Sequence, residues 1–269
     1  SDKPKLLNET GDLLSELQAR YAGTDTRVAL SVVNDVELSE GSYDSKSTEL
    51  LRRLFQTEDT ISRHVARLMQ LAEQCGVQEL EIDYEALGRD AELWAQFAVF
   101  IERAYSACDA RGIALRVVLS WDAPRYMSLP SGPEYVVMCY NLYGYHSGPG
   151  PKADFDFLAR TAELYRPYAA SVRMAFATGG FDWTDGGVRA LKQQEAEELL
   201  AEADATVMRD TDSAALCATF RQAGEDHTVW YADGTTLEAW ADVMNEFAGI
   251  DLFRLGGNDL SDWRTTLLR

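Results

Sequence analysis

Between positions 80 and 85 the chain reads Leu80-Glu81-Ile82-Asp83-Tyr84-Glu85, a carboxylate at every second position with apolar or aromatic residues between. In a β-strand successive side chains point to opposite faces, so Glu81, Asp83 and Glu85 project together, about 7 Å apart. Neighbouring carboxylates are the groups that give and take protons in general acid–base chemistry. Their mutual repulsion makes the run costly unless it is a solvated face on an edge strand or has a task. The segment before it ends in Cys75-Gly76, where Gly suits a helix C-cap. A helix, a short turn and then this strand is the rhythm of an α/β protein, in which chemistry gathers at the carboxyl ends of strands.

The elements that must position these acids follow from periodicity. Helical patterns cover 9–22, 57–74, 90–110, 153–165, 188–203 and 237–247. Six main strands are predicted at 27–34, 79–85, 114–120, 134–140, 171–177 and 249–255. Residues 35–56 read as a long strand-to-helix loop with a short helix near 48–54, 144–152 as a Gly/Pro-rich loop, and 219–231 as irregular material ending in a short strand at 228–231. Strands alternating with helices imply a parallel sheet covered by helices. An open doubly wound sheet and a (β/α)8 barrel both fit. No Gly-rich dinucleotide or phosphate-binding fingerprint follows any strand.

The chain has 269 residues, with 25 basic against 44 acidic and a net charge of −19. It reads as a single domain over 1–269, with no linker and no repeat. That charge repels phosphate backbones and anionic lipid, so nucleic acid is not an expected partner, while neutral ligands such as sugars stay open. No apolar run reaches the length of a membrane span. No signal peptide is visible, and Ser1-Asp2-Lys3-Pro4 reads as a trimmed or mature start. Cys75, Cys108, Cys139 and Cys217 are dispersed and read as free or buried thiols. His64, His146 and His227 lack metal-ligand spacing, so neither a metal nor a cofactor is expected.

Four motifs in order carry a resemblance. Gln78-Glu79-Leu80-Glu81-Ile82-Asp83-Tyr84-Glu85 resembles the DGxDxDxE strand of glycoside hydrolase family 18, the chitinase-like (β/α)8 barrels. Met138-Cys139-Tyr140-Asn141 resembles that family's later MxYD strand, and Ser31-Val32-Val33-Asn34 stands where the family has an SxGG-type strand. The segment 249–259 resembles the last strand of bacterial cell-wall and spore-cortex-lytic members, and Val229-Trp230-Tyr231 before this fourth motif fits the same subgroup.

The resemblance implies an α/β TIM barrel whose first two strands are absent or unrecognised in this chain. It implies a retaining glycosidase for β-linked N-acetylhexosamine glycans, such as chitin fragments, peptidoglycan or N-glycan cores, in which the substrate's own acetamido oxygen is the nucleophile. Glu85 then matches the acid that protonates the leaving oxygen, Asp83 the carboxylate that orients the acetamido N–H, and Tyr140 the hydroxyl that bonds the acetamido oxygen. Crowding of Asp83 against Glu85 is expected to raise one pKa and keep a proton on the acid. Glu81 and Asn141 are supporting residues that depart from the family's Asp at both positions. Phe253 takes the place of a sugar-stacking Trp; Trp121, Tyr143 and Trp183 are further sugar contacts, Tyr145 and His146 are candidates on the same loop as Tyr143, and Trp230 and Trp263 are either sugar platforms or core. Family membership implies a secreted or envelope location. The alternative implied by the departures is a chitinase-like carbohydrate-binding protein with weak or no turnover.

Overall fold

The computed structural model describes residues 3–7, 10–39, 41–254 and 256. Trp263 and the end of the 249–259 motif lie outside them. The chain divides into two compact units, one through Val136 and one from Val137.

The first unit runs α1 (Thr10–Arg20), β1 (Ala29–Val33), β2 (Val36–Ser39), β3 (Ser42–Asp44), α2 (Thr48–Phe55), α3 (Glu58–Cys75), β4 (Glu79–Asp83), α4 (Ala91–Asp109), β5 (Ala114–Ser120) and the start of β6 (Glu134–Met138). Strands β1, β4 and β5 are parallel neighbours, with Ser31 opposite Glu81 and Glu81 opposite Arg116. Helix α3 begins at an N-cap Thr57 that exchanges hydrogen bonds with Thr60 and ends on left-handed Gly76, the C-cap expected from sequence. The apolar face of β4, Leu80 and Ile82, is fully buried with Leu51, Phe55, Leu68, Phe97 and Phe100 of the three helices. Truncating such a buried ring typically costs about 3–5 kcal/mol.

The second unit holds the end of β6, then α5 (Phe155–Tyr165), β7 (Val172–Phe176), β8 (Gly179–Thr184), β9 (Gly187–Leu191), α6 (Gln193–Glu202), β10 (Met208–Arg209), β11 (Leu216–Gln222), β12 (Glu225–Ala232), α7 (Gly234–Val243) and β13 (Gly249–Leu252). Strands β7 and β13 are parallel, and the Cys139 amide just past β6 donates to Ala175 O at 2.9 Å. The strand order of the parallel sheet is β1-β4-β5-β6-β7-β13. All six strands expected from the sequence are in it.

A five-stranded antiparallel sheet, β10-β11-β12-β8-β9, was not expected. It corrects two readings. The segment 188–203 is not one helix: its first residues form β9, paired with β8, and only Gln193–Glu202 is helical. Cross-strand pairing overrides local helix preference there. Residues 219–231 are not irregular but belong to the β11–β12 hairpin, which turns at Ala223 and Gly224 with φ of 53° and 91°. Two positive φ values suit this tight turn, yet Ala rarely adopts one, so the hairpin signal was weak. The 35–56 segment likewise contains the β2–β3 hairpin before its expected helix.

Glycine makes the β8–β12 pairing possible. A Cβ at Gly180 would stand 1.8 Å from Trp230 O. We therefore expect Gly180→Ala to separate this ladder and cost about 2–4 kcal/mol, read as a lower midpoint in denaturant unfolding; an unchanged midpoint would contradict the close approach.

Candidate functional site

Strand alternation sorts β4 into two faces. Leu80, Ile82 and, past the strand end, Tyr84 point into the helices. Tyr84 is 4% exposed, stacks near His64 and Phe100, and its hydroxyl lies 2.7 Å from His64 Nε2. That packing fixes the backbone between the two acids of interest. The opposite face carries Glu79, Glu81, Asp83 and Glu85, one acid more than the three singled out in the sequence.

The counter-ions along this face differ from end to end. Glu79 pairs with Arg27 at 3.3 Å and with Arg116 at 3.6 Å. Glu81, directly across the ladder from Arg116, lies 3.3 Å from its Nε, and Glu134 lies 3.6 Å from the same atom. The longer Glu at 81 thus reaches an arginine. Asp83 has no such partner: its Oδ1 is buried without a hydrogen bond among the described residues. Burial first, then the charges of Glu85 and Glu81, push its carboxyl up to about 6, with Lys46 acting in the opposite sense. The acid with a raised pKa is therefore Asp83, and desolvation outweighs the expected crowding by Glu85.

Glu85 lies two residues beyond β4. Its Oε1 is 2.7 Å from Lys46 Nζ. Its backbone is held by Asn34, a residue 1% exposed at the end of β1. The Glu85 amide donates to Asn34 Oδ1 at 2.9 Å, and Asn34 Nδ2 donates to Glu85 O at 3.1 Å. Asn34 Nδ2 also donates to Ser47 O, and the Ser47 amide donates to Asn34 O at 2.9 Å. Ser47 in turn caps α2, and Thr48 Oγ1 donates to Ala86 O at 2.6 Å. Ala86 has φ of 61°, an uncommon value for a residue with a side chain, so the turn after Glu85 is held by these bonds. Neither Asn34 nor Lys46 was assigned a role from sequence. A buried Asn just past a strand was the available signal for the first; Lys46 follows an unrecognised hairpin and had none.

Trp121, just past β5, is half-buried, and the Arg125 guanidinium lies 5.0 Å from its ring centroid, covering one face.

In the second unit the structure brings Tyr140 and Phe253 together. Their rings stack at 5.2 Å with an interplanar angle of 7°. Phe253 is 53% exposed, and its amide donates to Phe176 O at 2.7 Å at the end of β7. Asn141 is exposed, and its side-chain amide lies 3.6 Å from Met138 Sδ. Loop 142–152 is closed by the Leu142 amide donating to Lys152 O. Within it the Tyr143 ring lies flat on Gly150, where a Cβ would meet it at 2.5 Å. Tyr145 is 67% exposed and meets Phe181 edge-on. Trp183 is only 7% exposed, and its indole N–H donates to Ser147 O at 3.2 Å, so its ring is engaged in anchoring this loop to β8. Trp230 stands opposite Phe181 in the β8–β12 ladder. Among the described residues no three His, Cys, Asp or Glu side chains are grouped to hold a metal ion, and no helix is long and apolar enough to cross a membrane.

Two outcomes follow for the first unit. The pKa of Asp83 is higher folded than unfolded, so its contribution destabilises the fold above about pH 6 and vanishes as pH falls through 6 toward 4. We expect Asp83→Asn to raise stability at pH 8 by on the order of 1–3 kcal/mol, with the gain shrinking by pH 4.5 in urea unfolding; a gain independent of pH would contradict the buried carboxylate. Asn34→Ala should cost about 1–3 kcal/mol and speed hydrogen exchange at the Glu85 amide; unaltered exchange there would show that Asn34 does not hold the turn.

No protein-family model matches the sequence, and no curated protein matches it. Solved structures do. The spore cortex-lytic enzyme SleL of Bacillus cereus superposes with a TM-score of 0.81 at 17% identity, covering 98% of this chain and 63% of that one. A chitinase from Chromobacterium violaceum gives 0.78 at 21% identity, covering 97% and 85%. A class V chitinase from Nicotiana tobaccum gives 0.76 at 14% identity, covering 98% and 85%. The chain spans less than two thirds of the Bacillus SleL enzymes it matches. At these identities the likeness is one of structure, and the chain has the chitinase-like α/β fold of glycoside hydrolase family 18.

Proposed function

We propose that this chain is a family 18 glycoside hydrolase that cleaves β-linked N-acetylhexosamine glycans, chitin-like or from peptidoglycan, with the substrate's acetamido group as nucleophile. The observation that carries the proposal is the pair at the carboxyl end of β4: Asp83, buried and with its pKa pushed up to about 6, two residues before Glu85 on the same face. The fold of chitinases and a cortex-lytic enzyme supports it, and the tobacco class V chitinase has been solved in complex with NAG4.

In this reading each group has one task. Glu85 protonates the glycosidic oxygen as the bond to the leaving sugar breaks. Asp83 accepts a hydrogen bond from the acetamido N–H, which aims the acetamido oxygen at the anomeric carbon, and its negative charge offsets the positive charge that develops on the resulting ring. Asp83 must be ionised to offset that positive charge, so activity should rise as pH climbs through about 6. Tyr140 donates its hydroxyl to the acetamido oxygen. Water then opens the intermediate, with Glu85 taking up the proton. Glu81, held by Arg116, and Asn141 support these groups, while Phe253, Tyr143 and Trp121 provide apolar surface for sugar rings. No cofactor takes part.

A second reading has one specific observation behind it. Lys46 occupies an oxygen of Glu85 at 2.7 Å, so a glycosidic oxygen must displace or share that contact. If it cannot, the chain binds glycans without cleaving them.

Glu85→Gln separates the two. We expect the variant to lose at least about a hundredfold in rate on chromogenic N-acetylglucosamine oligomers or on peptidoglycan, since general acid catalysis is worth about 10²–10⁴. Equal activity in both proteins would exclude Glu85 as the acid. Oligosaccharide binding by calorimetry with no hydrolysis over days would establish the binding-only reading.

A further inference from the structure

The second unit contains a cation that the proposed chemistry does not use. Lys152 ends the loop that leaves β6 just after Tyr140 and Asn141. Its ammonium donates to Thr178 O at 2.9 Å and lies 5.6 Å from the Phe181 ring centroid. An ammonium has three N–H donors, and this carbonyl takes one. No carboxylate pairs with it among the described residues, and burial alone acts on it, pushing its pKa down to about 8. Two other cations of the unit are matched: the part-buried Arg173 sits 2.8 Å from Asp251, and the exposed Arg209 sits 2.6 Å from Asp233. In a chain with 44 acidic and 25 basic residues, a dehydrated lysine left without an acid is a conspicuous expense. A methionine of similar length would pack on Phe181 without that penalty.

Its location gives the charge a purpose. Thr178 lies two residues beyond β7, and β7 meets the end of β6 through the Cys139 amide and Ala175 O. Phe253, stacked on Tyr140, is tied to the same end of β7. The ammonium is therefore at the carboxyl end of β7, the strand to which the aromatic pair is also tied, where ligands of such folds bind.

We propose that Lys152 recognises a carboxylate substituent on the glycan, so that the favoured substrate is an acidic N-acetylhexosamine polymer, such as a peptidoglycan strand bearing lactyl ethers, rather than neutral chitin. This rests on the glycan-binding reading above and adds the class of glycan to it. The carboxylate replaces the water lost on burial with a charge-assisted hydrogen bond, and Thr178 O keeps the ammonium aimed.

The test uses a tetrasaccharide of alternating N-acetylglucosamine and N-acetylmuramic acid, and the same tetrasaccharide with its lactyl carboxyls converted to methylamides. Calorimetry measures the affinity of wild type, Lys152→Met and Lys152→Arg for each. Wild type should bind the acid about 10–100-fold more tightly than the amide. The arginine variant should keep most of that preference, and the methionine variant should bring the two within about twofold. Equal affinities in wild type, or a preference that survives Lys152→Met, would overturn the proposal. Hydrolysis of the acidic tetrasaccharide and of neutral oligomers by wild type is followed in parallel. Cleavage without acid preference overturns the role of Lys152 alone; acid preference without cleavage overturns the hydrolase reading and upholds Lys152; binding of neither tetrasaccharide overturns both.

Discussion

The two-residue period of β4 is the constraint on which the first unit is built. Leu80, Ile82 and Tyr84 supply an apolar face that α2, α3 and α4 bury, and the same alternation forces Glu79, Glu81, Asp83 and Glu85 onto the other side. The helix-side packing has to outweigh the repulsion among the acids. It does so with fully buried Phe97 and Phe100 and with the hydrogen bond that ends Tyr84 on His64. A one-residue slip in register would turn four carboxylates into that core, so the pairing of β4 with β1 and β5 has no tolerable alternative.

The residues around the acids divide into those that neutralise and those that hold. Arg27 and Arg116 answer Glu79 and Glu81 across the ladder. Asn34 holds backbone rather than charge. One planar amide both accepts from and donates to Glu85, so the turn is fixed in two directions by a single side chain. The second unit uses aromatic rings and close backbone approaches instead. Gly150 admits the Tyr143 ring and Gly180 admits a neighbouring strand, and both place loop 142–152 and β8 at the ends of β6 and β7.

Much of this was readable from the chain alone. The six parallel strands carried dense β-branched or alternating patterns, and Gly76 marked the end of α3. The acidic face of β4 followed from period alone. What escaped notice was the pairing that depends on distant partners. Ala223 gave no turn signal, since its positive φ is imposed by the strands it joins, and Val188–Leu191 pairs with β8 although its local pattern ran on smoothly into a helix. The same limit hid Lys46, whose importance lies in its contact with Glu85, and Lys152, whose importance lies in having no acid beside it among the described residues; no local window contains either fact. Trp183 looked like a sugar platform from its position after a strand; its burial comes from Ser147 and Phe181.

The counter-ions along β4 also give the strand an electrical direction. Two guanidinium groups stand at its amino end, while at its carboxyl end Asp83 and Glu85 share the influence of the Lys46 ammonium, and nearby Asp35 adds negative charge. Potential therefore falls along the strand, from near balance to a negative pole. A neutral sugar resting at that pole feels little. One that gains positive charge as its bond stretches meets a field already in place. In the proposed reaction the strand distinguishes a reacting sugar from a resting one by charge before any hydrogen bond is counted.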